Sequence, residues 1–139
     1  MNRLRLLALL PMALAVASCG DSVGPGGNGC DVLSAVTIGS GTTPTFDWSP
    51  ACNIAQLTIT DETETDPDKK LKWSIIADQN VIRPIVTYGV APANTTQTQA
   101  PGILIGSGSG TPAHTYSLTM SVVQQDGTYF VVALQNFTP

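Results

Sequence analysis

Two places in the 139-residue chain gather side chains capable of chemistry. The first is the run Asp61-Glu62-Thr63-Glu64-Thr65-Asp66-Pro67-Asp68-Lys69-Lys70, with five carboxylates in eight positions, 61–68. Oxygen ligands at such spacing suit Ca²⁺, yet the central Gly and distal Glu of an EF-hand loop are missing. Paired carboxyls could also serve as acid and base on a glycosidic bond. That chemistry needs two groups held a fixed distance apart, which a connector between strands does not provide. Lys69 and Lys70 offset part of the charge, and the run reads as a solvated loop with no metal site expected.

The second place surrounds His114, the single histidine. The string "GSGSG" (Gly106 to Gly110) spells Gly-x-Ser-x-Gly, but a nucleophile elbow needs a helix behind the serine. Only a Gly/Ser loop follows, so His114 reads as a strand-edge histidine and no catalytic residue is expected. No Cys/His cluster has zinc spacing, and no nucleotide, flavin or haem fingerprint is present, so no cofactor is expected. Trp48, Trp73, Tyr88 and Tyr116 could form a platform for a sugar. Their alternating positions along strands place them in a core instead.

The elements that must position these residues are short strands. Charged residues make up 12% of the chain, about half the usual share, while Thr, Ser, Gly, Gln and Asn carry the polar surface. Such composition favours strands and turns over helices. Alternating runs start at Asp31 to Ile38, "TFDWS", "AQLTITD", "KLKWSIIAD", "NVIRPIVTYG", "HTYSLTMSVV" and "TYFVVALQNFTP". Inward sets are Phe46 and Trp48; Leu57 and Ile59; Leu71, Trp73, Ile75 and Ala77; and Tyr116, Leu118, Met120 and Val122. Pro84 in the fifth run suggests an edge or a bulge. No window after the first 18 residues sustains a period of 3.6. About seven strands split by turn signals predict a single all-β domain, a β-sandwich over residues 30–139.

The N-terminus carries a different message. Arg3 and Arg5 precede an apolar run from Leu6 to Val16, too short to span a bilayer. Val16-Ala17-Ser18-Cys19 follows, and here the chain resembles the bacterial lipoproteins, whose lipobox ends in an obligatory cysteine. The resemblance implies that residues 1–18 are a signal peptide and that Cys19 is lipidated, becoming the first residue of the mature chain. Ordinary cleavage after Ala17 also fits the A-x-A rule. It would leave three cysteines in an oxidising compartment, whereas lipidation removes Cys19 and leaves an even pair. Gly20 to Gly29 is half glycine and reads as a flexible tether of about 15–20 Å. In Gram-negative lipoproteins a residue other than Asp after the cysteine implies outer-membrane delivery, and Gly20 fits.

Without the signal, four basic residues face ten acidic ones, a formal charge of −6. No nucleic-acid partner is expected from such a balance, and anionic lipid would not hold the chain electrostatically. Membrane attachment is expected through the lipid on Cys19. For the remaining cysteines, a hairpin turning at Gly41 would pair residues whose numbers sum to 82. Cys30 and Cys52 satisfy that sum, which predicts a cross-strand disulfide.

"PTFDWSP", "AQLTITD" and "HTYSLTMSVV" are similar to fibronectin type III and immunoglobulin-like sandwiches. In that family a Trp on the second strand anchors the core and a Tyr opens the penultimate strand, the positions of Trp48 and Tyr116. Trp73 falls on the fourth strand. The chain departs from the pattern in "QTQAPGILIGSGSGTPAHTY", a longer Gly/Ser segment between the fifth and sixth strands. The expectation is a lipid-anchored, non-catalytic binding or structural module of the cell envelope, with an envelope protein or a glycan as partner. The alternative is an envelope carbohydrate-active hydrolase, or a carbohydrate-binding accessory, using the acidic loop 61–68.

Overall fold

Alternation becomes strand wherever large apolar side chains recur at every second position with Thr, Ser or Gln between them. The computed structural model describes residues 30–106 and 112–139. The expected signal peptide, the expected lipidation at Cys19, the expected tether and residues 107–110 of the Gly/Ser string lie outside the described residues. In chain order the strands are β1 (Ala35–Ile38), β2 (Thr45–Ser49), β3 (Gln56–Asp61), β4 (Leu71–Ile76), β5 (Val86–Thr87), β6 (Thr96–Gln99), β7 (Tyr116–Val123) and β8 (Tyr129–Phe137). A one-turn helix, α1 (Pro67–Lys70), precedes β4. The strands form two antiparallel sheets, ordered β1-β2-β5 and β6-β4-β3-β7-β8, and the chain is a β-sandwich.

The two inner faces supply the core. Phe46 and Trp48 come from β2, Leu57 and Ile59 from β3, Trp73 and Ile75 from β4, and Tyr116, Leu118, Met120 and Val122 from β7, all buried. Aromatic rings stitch the sheets together edge to face. Phe46 on β2 meets Phe137 on β8 at 6.0 Å between centroids, and Trp73 on β4 meets Tyr88 at 5.3 Å. The buried polar tips find partners: Trp48 Nε1 donates to Cys52 O and Trp73 Nε1 to Gln97 Oε1. Trp48, Trp73, Tyr88 and Tyr116 are therefore core residues.

Several local expectations change. The β1–β2 ladder pairs Ala35 with Ser49 and Ile38 with Phe46, so paired residues sum to 84 rather than 82. The turn is centred on Thr42, closed by Gly39 N–H to Thr45 O, with Gly41 at φ +92 supplying the left-handed residue. Cys30 and Cys52 nevertheless form a disulfide, with Cα atoms 5.2 Å apart. Ser34 N–H donates to Ser49 O and Cys30 N–H to Asn53 O. Each bond is one residue out of the ladder register, and that slip brings the cysteines together.

The fifth expected strand shrinks to Val86–Thr87 at the edge of the smaller sheet, because Pro84 removes a donor. Ile82 instead makes a lone bridge to Ile54. The segment read as a Gly/Ser connector opens with β6, "TQTQ", an all-polar strand beside β4. The acidic loop contains α1, whose Asp66 caps Asp68 N–H and whose Pro67 sits in the first turn. Leu71 faces solvent rather than the core. A bulge on β4 pairs Ile59 with Trp73 but Thr60 with Leu71, which turns Leu71 outward.

Candidate functional site at the Asp61 end of the sandwich

The same bulge sets up the chemistry. Along β3 the inward parity runs Leu57, Ile59, Asp61, so the last residue of the strand carries a carboxylate onto the buried face. Lys72, the extra residue of the β4 bulge, comes within 3.4 Å of Asp61 Oδ2. From the start of β7 the preceding His114 closes the group, its Nδ1 2.7 Å from the same oxygen. An ionised carboxylate only accepts, so Nδ1 carries the proton and donates it. Asp61 Oδ1 accepts Thr63 N–H at 3.0 Å and Glu64 N–H at 3.2 Å. Burial pushes the Asp61 carboxyl up. The His114 hydrogen bond, the Thr63 amide and the nearby His114 and Lys72 groups pull it down further, and it ends below the ordinary carboxylate value.

A buried carboxylate orienting a histidine through Nδ1 is two parts of a hydrolytic triad. The third part, a hydroxyl on the far ring nitrogen, is not found among the described residues. The hydroxyls nearby are committed elsewhere. Ser117 Oγ donates to Glu62 Oε1 at 2.6 Å, Thr63 Oγ1 accepts Thr115 N–H, and the Tyr116 hydroxyl accepts Ile105 N–H. Burial raises the Tyr116 phenol, the Ile105 amide lowers it, and the Asp61 charge raises it further, with a net rise. His114 lies stacked on Tyr116, ring centroids 6.2 Å apart. The ring is thus held on both sides, as a packing and hydrogen-bonding residue.

The acidic loop spends its carboxylates on its own backbone. Glu64 Oε1 accepts Thr65 and Asp66 N–H, and Asp66 Oδ1 accepts Asp68 N–H while Oδ2 pairs with Lys69 at 2.9 Å. Such turns satisfy donors that would otherwise face water. Among the described residues no three His, Cys, Asp or Glu side chains converge to hold a metal ion. The loop is a largely exposed, solvated connector as expected, ordered by its own acids, and Asp61 belongs to the core edge, not to the loop.

Sequence reasoning placed His114 and Asp61 separately and did not join them. They are 53 residues apart and meet only through the β3–β7 pairing, Asp61 opposite Tyr116. Lys72 was missed because a bulge cannot be read from an alternating pattern. One signal was available: Asp61 shares the parity of Leu57 and Ile59.

At the opposite end, Asn53, Val81, Arg83, Ile85 and Asn94 help line an open cleft of about 430 Å³. A smaller, more apolar groove of about 280 Å³ lies against Tyr88, Pro101 and Ile103. Burial lifts the Tyr88 phenol to about 12, with the Gly102 backbone offsetting only part of the rise, and its hydroxyl donates to Gly102 O at 2.7 Å. Among the described residues no helix is long and apolar enough to cross a membrane. No protein-family model, no curated protein and no solved structure matches the chain.

Proposed function

We propose that the chain is a lipid-anchored, non-catalytic binding or structural module of the cell envelope, carried on Cys19 by the Gly20–Gly29 tether. The observation that carries this reading is the fate of the cysteines. Cys30 and Cys52 are bonded to each other, so Cys19, at the end of Val16-Ala17-Ser18-Cys19, is the one left for acylation. A disulfide also suits an oxidising compartment. The resemblance to immunoglobulin-like sandwiches gains support from the grouping of strands. First, second and fifth share one sheet, while third, penultimate and last share the other. Here β4 sits with the larger sheet and β6 is an addition. Gly20 in place of Asp favours outer-membrane delivery.

The non-catalytic part rests on the commitments described above: Asp61, Glu62, Glu64 and Asp66 each hold a backbone or side-chain donor. Labelling cells with radioactive palmitate tests the anchor. The full chain is expected to carry label and Cys19→Ala to carry none; label retained by Cys19→Ala overturns the reading. A glycan array and a hydrolase panel on the same protein test the rest. Turnover abolished by Glu62→Gln or Glu64→Gln would replace the module by the hydrolase alternative.

A further inference from the structure

The edge of a β-sheet presents backbone groups without partners, and folded proteins shield such edges by shortness, charge, proline or polar side chains. Three of the four edges here are shielded. β1 has four residues, β5 has two with Pro84 just before it, and β6 is Thr-Gln-Thr-Gln followed by Ala100 and Pro101. β8 is not. Its nine residues, Tyr129 to Phe137, contain no charge, no Pro and no Gly. Among the described residues no strand pairs with its outer side.

The strand is also apolar on the outside. Val131 and Leu134, paired with Ser121 and Thr119, stand on the outer face 52% and 70% exposed beside Thr and Ser positions of β7, and Phe130, paired with the buried Val122, is 52% exposed toward the inner side. The direction of its backbone follows from β7. Glu62 N–H donates to Thr115 O, so odd-numbered residues of β7 bond toward β3 and even-numbered ones toward β8. Ala133, Gln135 and Phe137 are the β8 partners of those even residues. Leu134 and Asn136 therefore turn their N–H and C=O groups to the open side. A bulge between Met120 and Ser121 interrupts pairing only upstream, leaving 133–137 regular.

We propose that a second copy of this chain adds its own β8 to this edge, antiparallel, making a ten-stranded sheet across a two-fold axis. The inference stands apart from the lipid reading. Two arguments select a second copy. A two-fold contact needs a self-complementary patch. An axis through Leu134 sets that side chain against its own counterpart on the outer face, and gives the two Leu134 amides reciprocal bonds. Two copies with the same negative balance meet best along a strip without charge, which β8 supplies. The contact is also limited in extent, nine strand residues per copy against about 20–30 residues a side in a stable interface. The dimer is therefore reversible rather than obligate.

The test uses the full chain in detergent, with micelles in excess over protein, from about 1 to 100 μM. Sedimentation equilibrium is expected to show a monomer–dimer equilibrium. Hydrogen exchange at Leu134 and Asn136 should slow as dimer forms, while Thr96 to Gln99 stay unchanged. Leu134→Lys and Val131→Lys, checked for folding by circular dichroism, should each weaken association at least about tenfold. Ile103→Lys, on an exposed residue away from β8, should leave it intact. A monomer at every concentration overturns the proposal, as does a dimer whose β8 exchange ignores concentration. Protection of Leu134 and Asn136 at all concentrations, with another protein co-sedimenting, would assign the edge to a foreign strand and equally overturn it.

Discussion

Replacing Asp61 by Asn removes one charge from a buried position while keeping its size. The carboxylate accepts four donors: Thr63 and Glu64 N–H on Oδ1, His114 and Lys72 on Oδ2. An Asn can keep the first two through its oxygen, but its amide nitrogen would face the other two donors. Removing one partner of a fully buried ion pair costs about 3–5 kcal/mol. His114 and Lys72 keep 23% and 16% of their side-chain surface, so water relieves part of that loss. The expected cost is about 2–3 kcal/mol, or roughly 10–15 °C in Tm for a domain of this size. Its pH dependence has a definite sign. The folded carboxyl sits below its ordinary value of 3.8, so its stabilisation is full at neutral pH. As pH falls from that value through the folded one, the unfolded chain takes up the proton first and the advantage disappears. Urea unfolding of both proteins at pH 7 and pH 2 reads this directly. The gap should shrink to under about 1 kcal/mol in acid. Equal stability at pH 7, or a gap undiminished at pH 2, refutes the account of Asp61 as an ionised anchor.

Two other outcomes follow from the packing. The Cys30–Cys52 bond spans 22 residues, and losing it in a Cys30→Ser/Cys52→Ser double variant should cost about 3 kcal/mol by chain entropy, read as a lower urea midpoint. Asn80, buried, donates from Nδ2 to Val123 O and accepts Val123 N–H on Oδ1; Asn80→Asp sets an oxygen against that carbonyl and should destabilise by about 2–4 kcal/mol, measured by thermal unfolding.

The parts of the fold legible in sequence are those where parity and size agree. β2, β3 and β7 place aromatic or branched residues at every second position, and burial on one face follows from the pleat. β6 escaped because "TQTQ" has no apolar side chain: it is held by ladder bonds to β4 and by Gln97 on the Trp73 indole. α1 escaped because four residues make no period, although Asp66-Pro67 is a helix-start signal. The pairing of Cys30 with Cys52 was legible while the register behind it was not, since a turn's centre depends on which residue takes the left-handed conformation. The Asp61–His114–Lys72 group depends on a long-range strand pairing and a bulge. Local patterns in the chain encode neither.

The disulfide stands where the described domain begins, and this has a mechanical consequence. Any pull on the chain ahead of residue 30 enters the fold at Cys30 and crosses directly to Cys52. β1 and β2, enclosed between those residues, lie off the load path. The hairpin cannot be peeled from its end, and tension passes straight to the segment that leads into β3 at the centre of the larger sheet. A domain built this way can be tugged from its N-terminal side without losing its smaller sheet first.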